Sequence, residues 1–408
     1  MAFNVSAAND ILKNRYLGTI REQLNNATVL FSKLEKREQM VSGKNFTVAL
    51  HTGRNKSAAS ALGDGDTLPT AGQQSYASCT VPNKYLYGRI EVTGPTIAAT
   101  RDNVGAFAQA LESEVDGLTR DFKRRINSML HSDGTDALAY WTGADNISGT
   151  TVDDNQGNAF VNLYTGTNTC DLIDATDNAT KLGTSLVVTL GAKNANDYAV
   201  TWTGTVAGSA DGDYLVPAGS LGNAMMGIKG IVSASNPALG ALQGIDPSVS
   251  GSEYWAAQSF GNGGTLRQLA FEDMQEVIDG IATQTDYAES DIGLILGNYP
   301  VRRAYYKLCI AERRHVNTME LDGGFKALDF NGLPFVADSQ CRRNSLAFLV
   351  LDTMAIFRTS DFDWMDKDGS YLSRVVNKDA FEATLFHYGN LACLTRNANG
   401  ILYDLLED

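Results

Sequence analysis

The sequence predicts an α+β protein with a separate β-rich insertion, and three observations carry that prediction. One is a long helical stripe: Val104, Phe107, Leu111, Val115, Leu118, Phe122, Ile126 and Met129/Leu130 recur at three- and four-residue steps. Another is the stretch from Ala144 to about Gly222, made of short β-like runs cut by Gly, Asn, Asp and Thr. The third is the closing part of the chain, from Phe271 onward, where helical and strand-like segments alternate.

Near the N-terminus, Leu17, Ile20, Leu24, Ala27, Phe31 and Leu34 predict an amphipathic helix, with Arg21, Glu22, Lys33, Glu35, Lys36 and Arg37 on its other faces. Residues 46–51 and 85–93 read as strands from their β-branched and aromatic content. Between them, Thr52 to Lys84 is rich in Gly, Ser, Ala, Asp and Gln and has almost no apolar periodicity. Unstructured loops of that length are uncommon inside a compact domain. An extended two-stranded arm accounts for it, since the tip of an arm needs no core; a plain loop insertion is the alternative.

The long stripe then predicts a helix of roughly 30 residues and roughly 45 Å, opened by Thr100 with Asp102 as cap and stopped by Asp133-Gly134. Acids come early on its outer face (Glu112, Glu114, Asp116) and bases late (Lys123, Arg124, Arg125), the order the helix dipole favours. In the β-rich stretch the strand candidates are Ala159 to Tyr164, Ser185 to Leu190, Tyr198 to Trp202 and Tyr214 to Val216. Beyond it, Phe271, Met274, Val277, Ile278 and Ile281 mark a helix, Ile292 to Leu296 a buried strand, and Asn298-Tyr-Pro300 the start of a helix running to Arg314. Asn331-Gly332 between Phe325–Phe330 and Leu333–Ala337 is a hairpin signal, because both residues tolerate the positive φ of a type I′ turn. Strands are expected at Leu346 to Leu351, across Phe381 to Leu394, and near Ile401 to Leu405.

The chain has 408 residues, 43% apolar and 20% charged, which suits folded structure rather than disorder. Its net charge of −14 disfavours a broad grip on phosphate backbones. No run approaches the 18 or so apolar residues of a membrane helix, the richest, Leu346 to Leu351, having six. The start, Met1-Ala-Phe-Asn-Val-Ser, lacks the basic and apolar regions of a secretory signal, so synthesis as a soluble intracellular protein is expected. Five widely spaced cysteines (Cys79, Cys170, Cys309, Cys341, Cys393) are expected as reduced thiols.

Signals for chemistry are sparse. None of the four histidines (His51, His131, His315, His387) lies four residues from another, and the phosphate-loop, dinucleotide and nucleophile-elbow patterns are missing. Asp361, Asp363, Asp366 and Asp368-Gly369 echo a calcium loop, but Met365 stands where a ligand is needed and no Glu closes it. Asp64-Gly65-Asp66 and Asp211-Gly212-Asp213 read as turns, and Glu272 with Glu276 as a solvated helix face. No catalytic, cofactor-binding or metal residue is assigned, and a non-enzyme is expected.

The order of parts, together with YLYGRIEVTGPTIAATRDNVGAFAQALESEVDGLTRDFKRRI and the segments from DIGLILGNYPVRRAYY to GGFKALDFNGLPFVADSQC, resembles the major capsid proteins of tailed bacteriophages, the Hong Kong 97-like fold. The resemblance implies an N-terminal arm at 1–44, an extended loop at 45–97 and a peripheral domain with its spine helix at 98–143. It further implies a β-rich insertion at 144–222, an axial domain at 223–360, and peripheral strands with a C-terminal return at 361–408. It implies no cofactor, no membrane and no long scaffold domain ahead of the arm. The partners it implies are copies of the chain itself, in homo-pentamers and homo-hexamers of an icosahedral virion capsid made in the host cytoplasm. Portal, scaffolding and decoration proteins would join these, with double-stranded DNA enclosed but not read. Some members of that family weld their shells with Lys–Asn isopeptide bonds; Lys56 and Lys84 lie in or beside the arm, with no Asn partner singled out, and solvated lysines are the plain alternative. An encapsulin-type protein nanocompartment shares the implied fold. A carbohydrate-binding or hydrolytic β-rich surface protein is the competing class, suggested by Trp141, Trp202 and Tyr164. Charge is distributed unevenly: residues 132–228 hold eleven Asp, no Glu and two Lys, and so carry −9 of the −14, whereas residues 1–44 are net +3. Acidity confined in this way suits a container that encloses DNA without binding it tightly.

Overall fold

The computed structural model describes residues 28–38, 45–55, 57, 62–100, 110–142, 151–153, 167–194, 197–311, 318–321, 325–366 and 373–407. These fall into two compact units. The smaller takes Tyr87–Lys123 and Phe362–His387, and the larger takes Ala27–Leu86, Arg124–Asp361 and Tyr388–Asp408.

Helix α1 (Val29–Lys33) buries Val29, Leu30 and Phe31, then gives way to β1 (Glu35–Glu38). The amphipathic pattern predicted one helix through this region. Instead Glu35 to Glu38 pair in parallel with Ala355 to Arg358, so backbone pairing overrides the helical spacing, and the residues before Thr28 lie outside the described ones. Strands β2 (Asn45–Gly53) and β3 (Ser75–Pro82) form a two-stranded antiparallel sheet of their own. Strand β4 (Lys84–Thr93) leads into α2 (Gly94–Thr100), and α3 is Ala110–His131. Thr100, expected as the cap of the long helix, is the last residue of α2, while Asp102 lies outside the described residues. On α3, Phe122, Ile126, Met129 and Leu130 are buried as the stripe predicts, but Arg124, expected in solvent, is 4% exposed.

In the smaller unit, Gly88 of β4 lets Leu118 and Phe122 of α3 approach to within about the reach of a methyl group: a Cβ there would meet them at 3.0 and 3.1 Å. Phe122 meets Phe362 edge-on at 5.6 Å, and Phe362 stacks on His387 at 4.9 Å. Arg89 pairs with Glu382, and Lys378 with Glu91 at 3.2 Å.

The β-rich stretch forms a barrel whose first strand, starting at Ala139, precedes the run of β-like texture. Strands β5 (Ala139–Thr142), β6 (Thr151–Asp153), β7 (Thr167–Ile173), β8 (Lys181–Asn194), β9 (Asp197–Trp202) and β10 (Tyr214–Pro217) close into a six-stranded barrel, in the order β10-β5-β6-β9-β8-β7. Closure is achieved by β10, which pairs with both β5 and β7. Inside sit Trp141, Leu172, Val188, Val200, Trp202 and Leu215, all at most 4% exposed. The expected strand at Ala159 to Tyr164 lies outside the described residues.

Helix α4 (Ile228–Ile231) follows the barrel. Gly227 caps it where a Cβ would lie 2.3–2.7 Å from the carbonyl oxygens of Ser132, Met129 and Leu130, so only glycine lets α4 start against the end of α3. At its other end the buried Arg396 guanidinium donates to the carbonyls of Ile231 (3.0 Å), Gly230 (3.0 Å) and Ser235 (2.6 Å), satisfying acceptors that a helix end leaves open.

A seven-stranded mixed sheet forms the core of the larger unit. Its order is β11 (Gln258–Phe260), β20 (Gly400–Tyr403), β16 (Ser345–Leu349), β12 (Leu294–Gly297), β15 (Leu333–Ala337), β14 (Phe325–Phe330) and β13 (Thr318–Leu321). Alternate strand residues (Phe330, Phe335, Leu346, Phe348, Leu402) share one apolar core with Met274, Val277, Ile278 and Ile281 of α5 (Phe271–Gln284) and with Val301, Tyr305 and Cys309 of α6 (Tyr299–Ala311). Both helices therefore cover the same face, and burying each such aliphatic side chain stabilises by roughly 1.5–3 kcal/mol. The Asn298 Oδ1 accepts from the Val301 amide at 3.0 Å and so starts α6, with Pro300 in its first turn. Asn331 (φ 51°) and Gly332 (φ 85°) turn β14 into β15 as the pair predicts.

The remaining sheet has the order β1-β17-β19-β18, with β4 also on β19; here β17 is Met354–Trp364, β18 Ser373–Arg374 and β19 Ala380–Cys393. Asp361 and Asp363 lie within β17, which is extended chain, so they do not form the calcium loop their spacing echoed; Asp368 lies outside the described residues.

Candidate functional site

The β2–β3 arm is anchored at its root and bare at its tip. The strands pair from Asn45↔Pro82 through His51↔Tyr76, with an irregularity before Gly53↔Ser75. The second strand, Ser75–Pro82, lies within the stretch read as an extended arm, where no strand had been assigned, while the strand read at 85–93 belongs to β4. At the root Phe46, Cys79 and Val81 are at most 4% exposed, and Phe46 meets Phe357 edge-on at 5.7 Å. Toward the tip every residue from Leu62 to Gln74 is exposed, with Leu68 at 81% and Tyr76 on the strand itself at 69%. Asp66 Oδ2 accepts from the Gly63 amide at 2.6 Å and Gly65 takes φ 83°, which makes Asp64-Gly65-Asp66 a local turn. An isolated two-stranded hairpin is marginal in water, so this arm is held by its root.

Amides make that root. The Gln243 side chain donates to the Cys393 carbonyl and accepts from the Cys393 amide, each at 2.7 Å, and its donating nitrogen lies 2.9 Å from Cys79 Sγ. Gln243 itself is 7% exposed and takes φ 55° between Gly240 and Gly244, both also at positive φ. Asn390 Nδ2 donates to the Pro82 carbonyl (2.8 Å), while its Oδ1 accepts from the amides of Met226 (2.8 Å) and Leu391 (2.9 Å). Asn83 donates to Thr359 Oγ1 at 3.2 Å. Lys84 donates to the Gly222 carbonyl at 2.5 Å, and burial pulls its ammonium below the ordinary lysine value. Of the lysines weighed in the sequence as cross-link candidates or solvated residues, Lys84 is held by a carbonyl at the start of β4. Lys56 lies outside the described residues. Beside the arm, Val48 to Arg54 face Tyr254, Gln284, Tyr287 and Asn397 across an open cavity of about 570 Å³.

A second polar cluster sits at the end of α3. Asn127 accepts from the Phe31 amide (3.2 Å) and donates to Asp338 Oδ2 (3.2 Å). His131 Nε2 donates to that same carboxylate at 3.3 Å, and Nδ1 faces Cys341 Sγ at 3.8 Å. Burial opposes charge on His131, but Cys341, Asp338 and their hydrogen bonds outweigh it and raise the ring to about 10. Burial also raises the Cys341 thiol, so near neutrality the counter-charge is that of Asp338, which the imidazolium holds below the ordinary carboxylate value against its own burial. This cluster ties the helix to the loop after β15; Cys341 is 6% exposed, and the cluster is a structural pin rather than an open catalytic centre.

The barrel bears on two of the three aromatics that suggested sugar stacking. Trp141 and Trp202 face each other at 4.3 Å between ring centroids inside its core, at 0% and 4% exposure, so neither ring offers a stacking surface. Tyr164 lies outside the described residues. Asp213 spans Asp211-Gly212-Asp213 as turn chemistry, accepting from the Ala175 (3.0 Å) and Ala210 (2.8 Å) amides. All five cysteines are buried free thiols. Among the described residues no group of three His, Cys, Asp or Glu side chains could hold a metal, and no helix is long and apolar enough to cross a membrane. Sequence reasoning missed Gln243, Asn390, Asn83 and the His131–Asp338 pair; only the glycines flanking Gln243 hinted at a special backbone.

Neither a protein-family model nor a curated protein sequence matches the chain. Solved structures do. A chain of the cyanophage A-1(L) capsid is similar over 97% of this chain and 98% of its own, with 12% identity and a TM-score of 0.61. The capsid of a native GTA particle aligns over 100% and 99%, at 10% identity and TM-score 0.55. The SrpI encapsulin of Synechococcus elongatus aligns over 99% and 96%, at 9% identity and TM-score 0.51. With coverage of nearly the whole of each chain, the chain has the α+β, Hong Kong 97-like fold of these shell proteins.

Proposed function

We propose that the chain is the major structural subunit of a closed shell, assembling into homo-hexamers and homo-pentamers of an icosahedral virus head that encloses double-stranded DNA. The observation that carries the reading is the bare arm on a fold shared end to end with phage capsids. An arm buried only at its root and coreless at its tip gains little by ordering that tip alone, and a neighbouring copy is the natural surface to order it. In a closed shell each modest contact repeats around symmetry axes, so weak interfaces add up. The subunit has no enzymatic role in this reading; portal, scaffolding and decoration proteins would act on the assembled head.

A nanocompartment loaded with protein is the second reading, favoured by the similarity to an encapsulin. Electron microscopy of particles purified after expression of the full chain, with nuclease-protected nucleic acid measured in particles from the native source, decides. The head reading expects spherical shells containing long protected DNA. Shells free of DNA and filled with one protein would establish the second reading, and absence of particles would sink both.

A further inference from the structure

The two helices on the core sheet carry opposite charge. Helix α5 holds Glu272, Asp273, Glu276 and Asp279 and no base; α6 holds Arg302, Arg303 and Lys307 and no acid. The exposed positions sort by helical spacing. Glu272, Glu276 and Asp279 stand at steps of four and three on one outer stripe of α5, all exposed. On α6, Tyr299, Arg303, Tyr306, Lys307 and Ile310 fall on one outer stripe, all exposed, with Ile310 at 72%. The apolar sides of both helices are already used in the core, so these stripes contribute nothing to it. Solvation alone explains the acidic stripe but not the other, since a stripe that mixes tyrosines, an arginine and a bare isoleucine has the composition of an interface centre. Beside it, Leu269, Ala304, Lys307, Leu308, Ala311 and Leu406 line a cavity of about 200 Å³.

We propose that the Tyr299–Arg303–Tyr306–Lys307–Ile310 stripe of α6 docks on the Glu272–Glu276–Asp279 stripe of α5 in a second copy of this chain. The two patches differ and lie on one sheet face of the same unit, so the contact is head-to-tail, and in the closed shell proposed above its repetition forms a ring around a rotation axis. Opposite charge selects the partner and fixes its register, while the tyrosines and Ile310 supply the apolar area. This interface rests on the reading of the chain as a shell subunit and names the surfaces through which its rings form.

The test compares the full chain with an acidic-stripe reversal (E272K/E276K/D279K), a basic-stripe reversal (R303E/K307E) and the combination of all five substitutions. Circular dichroism checks folding, and sedimentation with negative-stain microscopy counts particles. Each single-stripe reversal is expected to leave a folded chain and to lower the particle yield roughly tenfold or more; the combination is expected to restore it. Mixing the two single-stripe reversals is expected to give rings of even membership only, because unlike subunits must alternate. Zero-length carbodiimide coupling of wild-type particles supplies a readout independent of variant folding: the dimer band should contain Lys307 joined to Glu272, Glu276 or Asp279. Normal particles from both single reversals, or a dimer band without Lys307, would overturn the interface while leaving the shell reading intact. A wild-type chain that never assembles would overturn the shell reading and the interface with it.

Discussion

The barrel and the arm are both built from antiparallel strands, and they treat their unpaired edges in opposite ways. Six barrel strands close on themselves, leaving no edge and enclosing two tryptophans with Leu172, Val188, Val200 and Leu215. The arm has two strands and two open edges, and its burial ends at Phe46, Cys79 and Val81. Stability in the barrel is therefore internal, whereas the arm borrows its stability from the root amides and, in the proposed shell, from a neighbour. A region that is costly to order alone is the one to examine for function.

The largest effect should come from the barrel. Trp141→Ala removes a fully buried ring packed at a tilt against Trp202 and should cost about 3–5 kcal/mol, read as lost hydrogen-exchange protection at Val188 and Val200; unchanged protection would mean that closure does not depend on this core. Next comes the pin where α3 hands the chain to the barrel. His131 is raised in the folded state, so its stabilisation is complete below its ordinary value of 6.5 and is lost as pH rises through about 10. Asp338 is lowered and acts in the other direction, its share being lost on acidification below the ordinary 3.8. Thermal melts across pH should decline on the alkaline side in the wild type, and His131→Gln should flatten that decline.

Smaller again is the root of the arm. Gln243→Ala strips both partners from the buried Cys393 amide and carbonyl, an expected loss of about 1–3 kcal/mol, with the arm amides of Val48 and Leu50 exchanging faster than those of the core sheet. The smallest effect on the subunit itself should follow from replacing Leu62–Gly72 with a short Gly-Ser turn. With no buried side chain in that segment, the melting of the isolated chain should move by less than about 0.5 kcal/mol. If the tip deletion destabilised the subunit as much as Trp141→Ala, the distinction between a self-sufficient barrel and a dependent arm would fail.

Much of this was legible in the sequence where the signal is local. The Asn331-Gly332 turn, the α5 stripe from Phe271 to Ile281 and the Asn298–Pro300 start of α6 depend on residues close in the chain, and they form as expected. Strand β3 was not assigned from the sequence, because its apolar face, Ala77, Cys79 and Val81, is short and built of small residues between Ser, Thr and Tyr, and only Cys79 and Val81 are buried. Strand β1 was misread for the opposite reason: Glu35 to Glu38 continue a helical pattern, and only a distant partner, β17, makes them extended. Gln243, Asn390, Arg396 and the His131–Asp338 pair act on groups more than one hundred residues away, and no spacing rule reaches that far. Barrel closure is equally non-local, since β5 and β10 are separated by the other four strands.

Sedimentation velocity of the intact chain beside the tip-replaced chain, under identical assembly conditions, tests the central claim most directly. The account predicts megadalton particles from the intact chain, and from the tip-replaced chain a folded species no larger than small oligomers. Particles of equal size and yield from both, or an intact chain that stays monomeric at every concentration and ionic strength, would contradict it.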